Sequence, residues 1–190
     1  MATPYRKTPD GFESQFATNH LGHFVFTNSI LGKLPAGGRV VNVSSDAHRY
    51  GPVRYDDLGF QDGAVYDKWP AYAQSKSANI LYTIELAERV RERGIGVFAV
   101  HPGSILTNLG RDLPESEVAA LKTQHVELKT LDQGAATHLV AAFDPKMAGE
   151  SGEYLEDGKV GLAAEWARDR EGAKKLWRIS EELVGEKFEF

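Results

Sequence analysis

The sequence lacks several features that would define whole classes of protein. It has no cysteine, which excludes disulfide scaffolds, cysteine-ligated zinc sites, iron–sulfur clusters and thiol nucleophiles. No apolar run approaches the roughly 20 residues that span a bilayer, and residues 1–10 resemble neither a signal peptide nor a transit peptide. Positive charge is not in excess, because 22 Lys and Arg face 27 Asp and Glu, a net charge of −5. We therefore expect a cytoplasmic protein that has no membrane segment in this chain and binds no nucleic acid.

The 190 residues and their alternating patterns predict one α/β domain over residues 1–190. Three short buried runs predict strands at residues 38–45, 96–101 and 153–155. Apolar spacing and end signals predict helices at residues 10–31, 70–94 and 132–143. A last amphipathic helix is expected to carry Trp166, Leu176, Trp177 and Leu183. The polar residues 104–131 read as a loop.

Two residues of the long helix are candidates for chemistry. Tyr72 and Lys76 are four positions apart, so their side chains share one helix face. An ammonium group beside a phenol stabilises the phenolate and lowers its pKa. By itself this pair also fits an ordinary solvated helix face. Ser45 adds weight, because it ends a predicted strand, and open α/β sheets place reactive groups at the carboxyl ends of strands.

Five motifs then occur in order: NHLGHF, RVVNVSSDAHR, DDLGF, AYAQSKSANILYTIELA and HPGSILTNL. Together they resemble the short-chain dehydrogenase/reductase family, in its retinol-dehydrogenase-like branch. The resemblance runs over essentially the whole chain. It implies the C-terminal part of a doubly wound, parallel-sheet Rossmann fold, with three strands and flanking helices. It also implies an oxidoreductase that interconverts an alcohol and a carbonyl by hydride transfer.

The resemblance implies a role for each matching residue. Tyr72 would be the general acid/base, Lys76 would lower its pKa and bond the nicotinamide ribose, and Ser45 would bond the substrate oxygen. Asn19 would hold a water that relays protons to Lys76. Cofactor contacts would come from Tyr72, Lys76, Pro102, Gly103, Ile105 and Thr107. The expected cofactor is NADP, with NAD as the alternative, and residues 104–131 would form the substrate loop. Relatives often pair through the helices that carry Asn19 and Tyr72 here, but their oligomeric state varies, so the resemblance leaves a homo-oligomer as an open question.

One family motif has no counterpart in this chain. The family binds its dinucleotide at a glycine-rich turn between a first strand and helix, and no such pattern occurs here. We interpret Met1 as an internal methionine of a longer enzyme, which leaves a membrane anchor in a preceding segment as an open question. The alternative is an inactive or regulatory fragment that cannot bind cofactor. In that case the strand at 38–45 would have an exposed edge.

Two other interpretations of the sequence are weak. The pair His20 and His23 has a spacing that metal ligands use, but no third ligand is evident, so we predict no metal site. Ser45 and His48 could suggest a hydrolase, but the G-x-S-x-G nucleophile pattern is absent.

Overall fold

The computed structural model describes residues 1–123 and 127–190. Its six strands are β1 (Arg39–Val43), β2 (Gly96–His101), β3 (Ser104–Ile105), β4 (Leu128–Lys129), β5 (Tyr154–Glu156) and β6 (Lys159–Val160). The main sheet has the order β1-β2-β5-β6, in which the first three strands are parallel and β6 is antiparallel. Strands β3 and β4 form a separate parallel pair.

The three predicted strands are confirmed as the parallel part of this sheet. Their pairing places Arg39 opposite Gly96 and Val43 opposite Val100. The prediction missed β3, β4 and β6, because a two-residue strand is too short to produce a periodic hydrophobic signal. The predicted first strand also extends too far, since β1 ends at Val43 and Ser45 follows two residues later.

The first predicted helix consists of three consecutive segments. These are α1 (Ser14–Phe16), a π-helical turn (Ala17–Leu21) and α2 (Gly22–Ile30). The predicted start at Asp10 is wrong, because the Glu13 carboxylate caps the helix by accepting from the backbone N–H of Gln15 and Phe16. The predicted stop at Gly32 is also wrong, since a 3₁₀ turn continues to Lys33.

The long predicted helix is α3 (Lys68–Arg89), capped by the Asp67 side chain. A 3₁₀ turn follows, and the chain leaves it at Gly94, whose φ of +65° suits glycine. The sequence predicted one apolar face. Instead, almost every side chain from Ala71 to Ala87 is buried, because α3 lies between the sheet and the C-terminal helix.

Three further helices complete the chain: α4 (Glu115–Thr123), α5 (Leu131–Phe143) and α6 (Arg170–Val184). A capping box between Thr130 and Gln133 begins α5. The prediction missed α4 because its segment is polar. It was also wrong to put Trp166 in the last helix, since this residue lies in a preceding 3₁₀ turn. None of the described helices is both long and apolar enough to cross a membrane.

The helices cover both faces of the sheet. On one face, α5 packs through Ala141 against Phe98 and Leu155. On the other face, an aromatic cluster joins α2, α3 and α6. There the ring of Phe24 lies 5.5 Å from Tyr82 and 5.0 Å from Trp177, measured between centroids. This layered packing fixes α3 relative to the carboxyl ends of β1 and β2.

Strand β1 forms one edge of the main sheet in the part of the chain that the structure describes. It pairs only with β2, and the side chain of Val43 is 42% exposed. An exposed edge here was expected from the sequence only for the alternative of an inactive or regulatory fragment.

Candidate active site

The candidate residues meet where β1 and β2 end. Ser45 follows β1, while Pro102 and Gly103 follow β2. Helix α3 packs against β2 and against the turn that follows β1. The carboxyl ends of neighbouring parallel strands always share one edge of a sheet. Ser45 thereby comes within hydrogen-bonding reach of Tyr72, and the last residue of β1 comes within reach of Lys76.

Tyr72 and Lys76 lie one helical turn apart and are both buried, with exposures of 4% and 8%. The Lys76 Nζ atom lies 5.5 Å from the centroid of the Tyr72 ring. It also donates a hydrogen bond of 3.0 Å to the backbone oxygen of Val43. The ammonium group is therefore held against the last residue of β1, over the ring of Tyr72.

Burial dominates the pKa values of this pair. It lowers the pKa of Lys76 to about 8, because an ammonium loses its hydration inside the protein. Burial also raises the pKa of Tyr72, while a hydrogen bond with Ser45 acts in the opposite direction. The expectation that Lys76 lowers the phenol pKa therefore differs from what this structure shows, because burial is the largest cause of the shift in the Tyr72 pKa and the hydrogen bond with Ser45 is what opposes it.

Ser45 lies at the turn that follows β1. Its Oγ atom accepts the backbone N–H of Ala47 at 3.1 Å, which caps a 3₁₀ turn over Asp46–Tyr50. An oxygen that accepts from Ala47 still has its own proton to donate. That proton is available to the Tyr72 oxygen or to another acceptor in the site.

Asn19 lies in the π-helical turn and faces α3. Its Nδ2 atom donates to Ser75 Oγ at 2.9 Å, and its backbone oxygen accepts from Asn79 Nδ2 at 2.7 Å. A π turn leaves carbonyl groups without their usual helical partners, and Asn79 supplies one here. Asn79 was missed in the sequence, although it lies three and seven residues beyond Lys76 and Tyr72, on the same face of α3.

The segment after β2 holds the remaining predicted residues. Gly103 has a φ of +86°, a conformation that favours glycine, and it follows Pro102 in the turn. Ile105 lies in β3 against Gly134 of α5. Thr107 is exposed, and its hydroxyl caps the next turn by accepting from the backbone N–H of Leu109 at 3.2 Å. These residues follow β2, at the same edge of the sheet as Ser45.

A polar clasp joins α4 to the start of α3. The Glu117 carboxylate accepts from Lys68 Nζ at 2.5 Å and from Trp69 Nε1 at 3.3 Å. The predicted substrate loop is therefore partly helical and is attached to α3 close to Tyr72. Residues 124–126 of that predicted loop lie outside the described residues.

His48 was considered in the sequence analysis as a hydrolase partner of Ser45. A hydrolase pair requires the His48 ring to face the Ser45 hydroxyl, and it does not do so. Its Nδ1 atom lies 2.7 Å from the backbone oxygen of Ser45 instead. The hydrolase interpretation therefore has no geometric support, and His48 has a contact that the sequence pattern did not reveal.

The residues present fit the nicotinamide–ribose part of a dinucleotide. An ammonium has three N–H donors, and within the described residues Lys76 uses one of them on Val43. Two donors remain for vicinal hydroxyl groups such as those of a ribose. The site thus offers a buried cation with free donors, a phenol beside it and a serine hydroxyl. That combination can move a proton to or from an oxygen atom.

The sequence and the fold of the chain are similar to those of known proteins. No family model matches the chain. It is 43% identical over 187 residues to retinol dehydrogenase 14 of Homo sapiens, covering 96% of this chain and 55% of that protein. A crystal structure of an uncharacterised protein from Mycobacterium paratuberculosis has a TM-score of 0.77 and 36% identity, and the match covers all of this chain and 65% of that one. A short-chain dehydrogenase from Burkholderia cenocepacia, solved in complex with NADP, has a TM-score of 0.53 and 25% identity over 72% of this chain and 51% of that one.

The chain is therefore homologous to retinol dehydrogenases and other short-chain dehydrogenases/reductases, as its motifs predict. Its parallel sheet with flanking helices is the corresponding part of their Rossmann fold. The chain spans somewhat more than half the length of the curated relatives that it matches.

Proposed function

We propose that this chain carries the catalytic part of an NADP-dependent oxidoreductase that interconverts an alcohol and a carbonyl compound. The buried Lys76 beside Tyr72 is the observation that carries the proposal. Burying an ammonium with its pKa lowered to about 8 is unfavourable for folding. Such a cost is expected where the charge serves chemistry rather than packing.

Tyr72, Ser45 and Lys76 have separate roles in the proposed proton transfer. Bound NADP supplies the nicotinamide that exchanges hydride with the substrate carbon. Tyr72 donates its phenolic proton to the carbonyl oxygen during reduction, or takes a proton from the alcohol during oxidation. Ser45 orients the same oxygen through its hydroxyl. Lys76 binds the ribose hydroxyls, and its charge stabilises the Tyr72 phenolate against the opposing effect of burial.

Asn19 has a supporting position in this scheme. Asn79 and Ser75 tether it, so its position relative to α3 is fixed. We propose that its backbone carbonyl region holds a water that passes protons towards Lys76. The remaining predicted contacts, Pro102, Gly103, Ile105 and Thr107, would border the nicotinamide.

An apolar alcohol or aldehyde is the substrate class that we propose. The segment around β3 and β4 presents Leu106, Leu109 and Leu128, which are 59%, 49% and 44% exposed. Exposed apolar side chains beside a polar site suit a ligand with one polar end and a long apolar body. The relative in Homo sapiens is named a retinol dehydrogenase, which is consistent with this class.

The alternative is a regulatory or inactive chain that does not bind the cofactor. Cofactor binding separates the two functions. We expect the fluorescence of NADPH to change when the chain is added, and an unchanged signal at saturating protein would favour the alternative.

Tyr72→Phe tests the catalytic assignment directly. We expect turnover of all-trans-retinal with NADPH to fall by roughly 10²–10⁴-fold, because the acid/base group is lost. The affinity for NADPH should stay within about twofold, since the aromatic ring remains. Absorbance at the NADPH band and fluorescence titration measure the two quantities.

Tyr82→Phe is the matched control. Tyr82 lies in the same helix and is 2% exposed, but its hydroxyl binds Asn28 in the aromatic core rather than the site. We expect it to lose stability and keep its turnover. If Tyr72→Phe and Tyr82→Phe retain equal rates, Tyr72 is not the acid/base.

A further inference from the structure

The peptide unit that joins Ser45 to Asp46 is held by two histidines. The Nδ1 atom of His48 lies 2.7 Å from the Ser45 backbone oxygen. On the other side of the same peptide, the Asp46 N–H donates to the Nδ1 atom of His101 at 3.2 Å. His48 lies in the turn that follows β1, and His101 is the last residue of β2. The peptide between Ser45 and Asp46 is therefore held on its two sides by residues from two neighbouring strand ends.

The partners of each ring fix its protonation. The Ser45 oxygen can only accept, so His48 Nδ1 carries a proton and donates it. The His48 Nε2 atom accepts the backbone N–H of Ala164 at 3.0 Å, so it carries none. His101 Nδ1 accepts from Asp46, which puts its proton on Nε2. Both rings are therefore used as neutral imidazoles with one defined tautomer each.

The surroundings of His48 make its ring rigid. It is fully buried, and its ring packs on Tyr154 of β5 with 5.1 Å between centroids. Its backbone oxygen accepts from Trp166 Nε1 at 3.1 Å and from Ser77 Oγ at 3.2 Å. The His48 ring thus connects the Ser45 turn to the segment that follows β6, and the His48 backbone oxygen connects it to α3.

We propose that His48 and His101 are positioning residues that fix the Ser45–Asp46 peptide, and through it the Ser45 hydroxyl beside Tyr72. This inference rests on the proposed function, since Ser45 is taken there as the group that orients the substrate oxygen. Neither histidine touches the substrate oxygen in this scheme. Their effect is to restrict rotation of the peptide and so to hold the Oγ atom in one place.

Asn and Gln variants separate this role from plain packing. Asn places an amide where Nδ1 of the ring was, so His48→Asn keeps a donor for Ser45 and His101→Asn keeps an acceptor for Asp46. Gln places its amide near the former Nε2 position and loses the contact with the peptide. Both replacements remove the imidazole. A merely structural role of His48, through its Nε2 contact with Ala164, predicts the opposite order, with the Gln variant closer to the wild type.

Amide exchange of Asp46 in the isotope-labelled chain, measured by NMR, is the primary readout. We expect His48→Gln and His101→Gln to speed this exchange at least tenfold relative to the matching Asn variants. In the kinetic assay the Gln variants should lower kcat about 10–100-fold with KM within about threefold, and the Asn variants should recover most of that loss. Equal exchange rates in Asn and Gln variants would overturn the proposal.

His20 provides a matched control. It is also fully buried, and its Nε2 atom contacts Ser180 Oγ at 2.7 Å, away from the Ser45 turn. We expect His20→Asn and His20→Gln to change stability but not the Asp46 exchange rate. If the wild-type chain turns over no carbonyl, the proposed function fails, whereas the exchange pattern still decides whether the two histidines hold Ser45.

Discussion

Replacing Lys76 by methionine should stabilise the protein while abolishing its chemistry. Burial lowers the Lys76 pKa from 10.5 to about 8. At roughly 1.4 kcal/mol per pKa unit, keeping this ammonium charged in the folded state costs about 3 kcal/mol at pH 7. Methionine has a similar length and no charge. It loses the hydrogen bond to Val43, which is worth roughly 1–2 kcal/mol. The net expectation is a gain of about 1–2 kcal/mol in unfolding free energy.

The gain should depend on pH in a defined direction. The folded pKa of Lys76 lies below its unfolded value, so the wild type regains stability as pH rises from 8 towards 10.5. The advantage of Lys76→Met should therefore shrink by about 2–3 kcal/mol between pH 7 and pH 10. Urea denaturation followed by circular dichroism at pH 7, 8.5 and 10 measures this difference.

Lys174→Met is the control for the charge change. Its side chain is 53% exposed and pairs with Glu171 on the surface of α6, so we expect a change within about 0.5 kcal/mol at every pH. A Lys76→Met protein that is less stable than the wild type at pH 7, or whose difference is flat with pH, would refute the reasoning about desolvation.

The remaining predictions concern packing and acid stability. Phe24→Ala should cost about 3–5 kcal/mol in urea denaturation, because this ring is fully buried among Tyr82 and Trp177, whereas Phe26→Ala on the exposed side of α2 should cost far less. Gly134→Ala should cost about 1–3 kcal/mol, because a Cβ there would overlap the Ile105 side chain. A cost near zero would mean that Ile105 moves freely. Burial lowers the His20 pKa to about 3, so its stabilising effect is complete above about pH 6.5 and is lost on acidification. Lowering the pH from 7.5 to 5 should remove about 2 kcal/mol through His20, and His20→Asn should lack that part of the loss.

Periodic and long-range features were predictable from the sequence to different extents. The strand at Gly96–His101 and the helix that carries Tyr72 follow from continuous apolar runs and end signals. The position of Ser45 at the carboxyl end of a parallel strand also followed from the sequence, whereas its relation to Tyr72 was implied by the family resemblance. The helix α4 was not predictable, because its residues are polar and its position depends on the clasp of Glu117 with Lys68.

Hydrogen bonds between side chains and backbone atoms were the least predictable features from the sequence. His48 was considered only as a partner of the Ser45 side chain, whereas it binds the Ser45 backbone. A sequence pattern names side chains, and it does not show which carbonyl a ring reaches after the chain has folded. The direction of the shift in the Tyr72 pKa was not predictable for a similar reason. It depends on the burial of α3 between two layers, which no local spacing reveals.

The π-helical turn at Ala17–Leu21 makes this segment sensitive to length. An α-helix turns by about 100° per residue, so one residue fewer in the turn would rotate everything before it by roughly a quarter of a circle. The helix itself could absorb that deletion by becoming regular, with no loss of hydrogen bonds along its axis. The amide of Asn19 would then point away from Ser75, and its carbonyl away from Asn79. A single-codon deletion here should damage the site and also cost stability, because the rotated part carries Phe16, which is 2% exposed in the core. Most substitutions at the exposed Thr18 should be neutral for both.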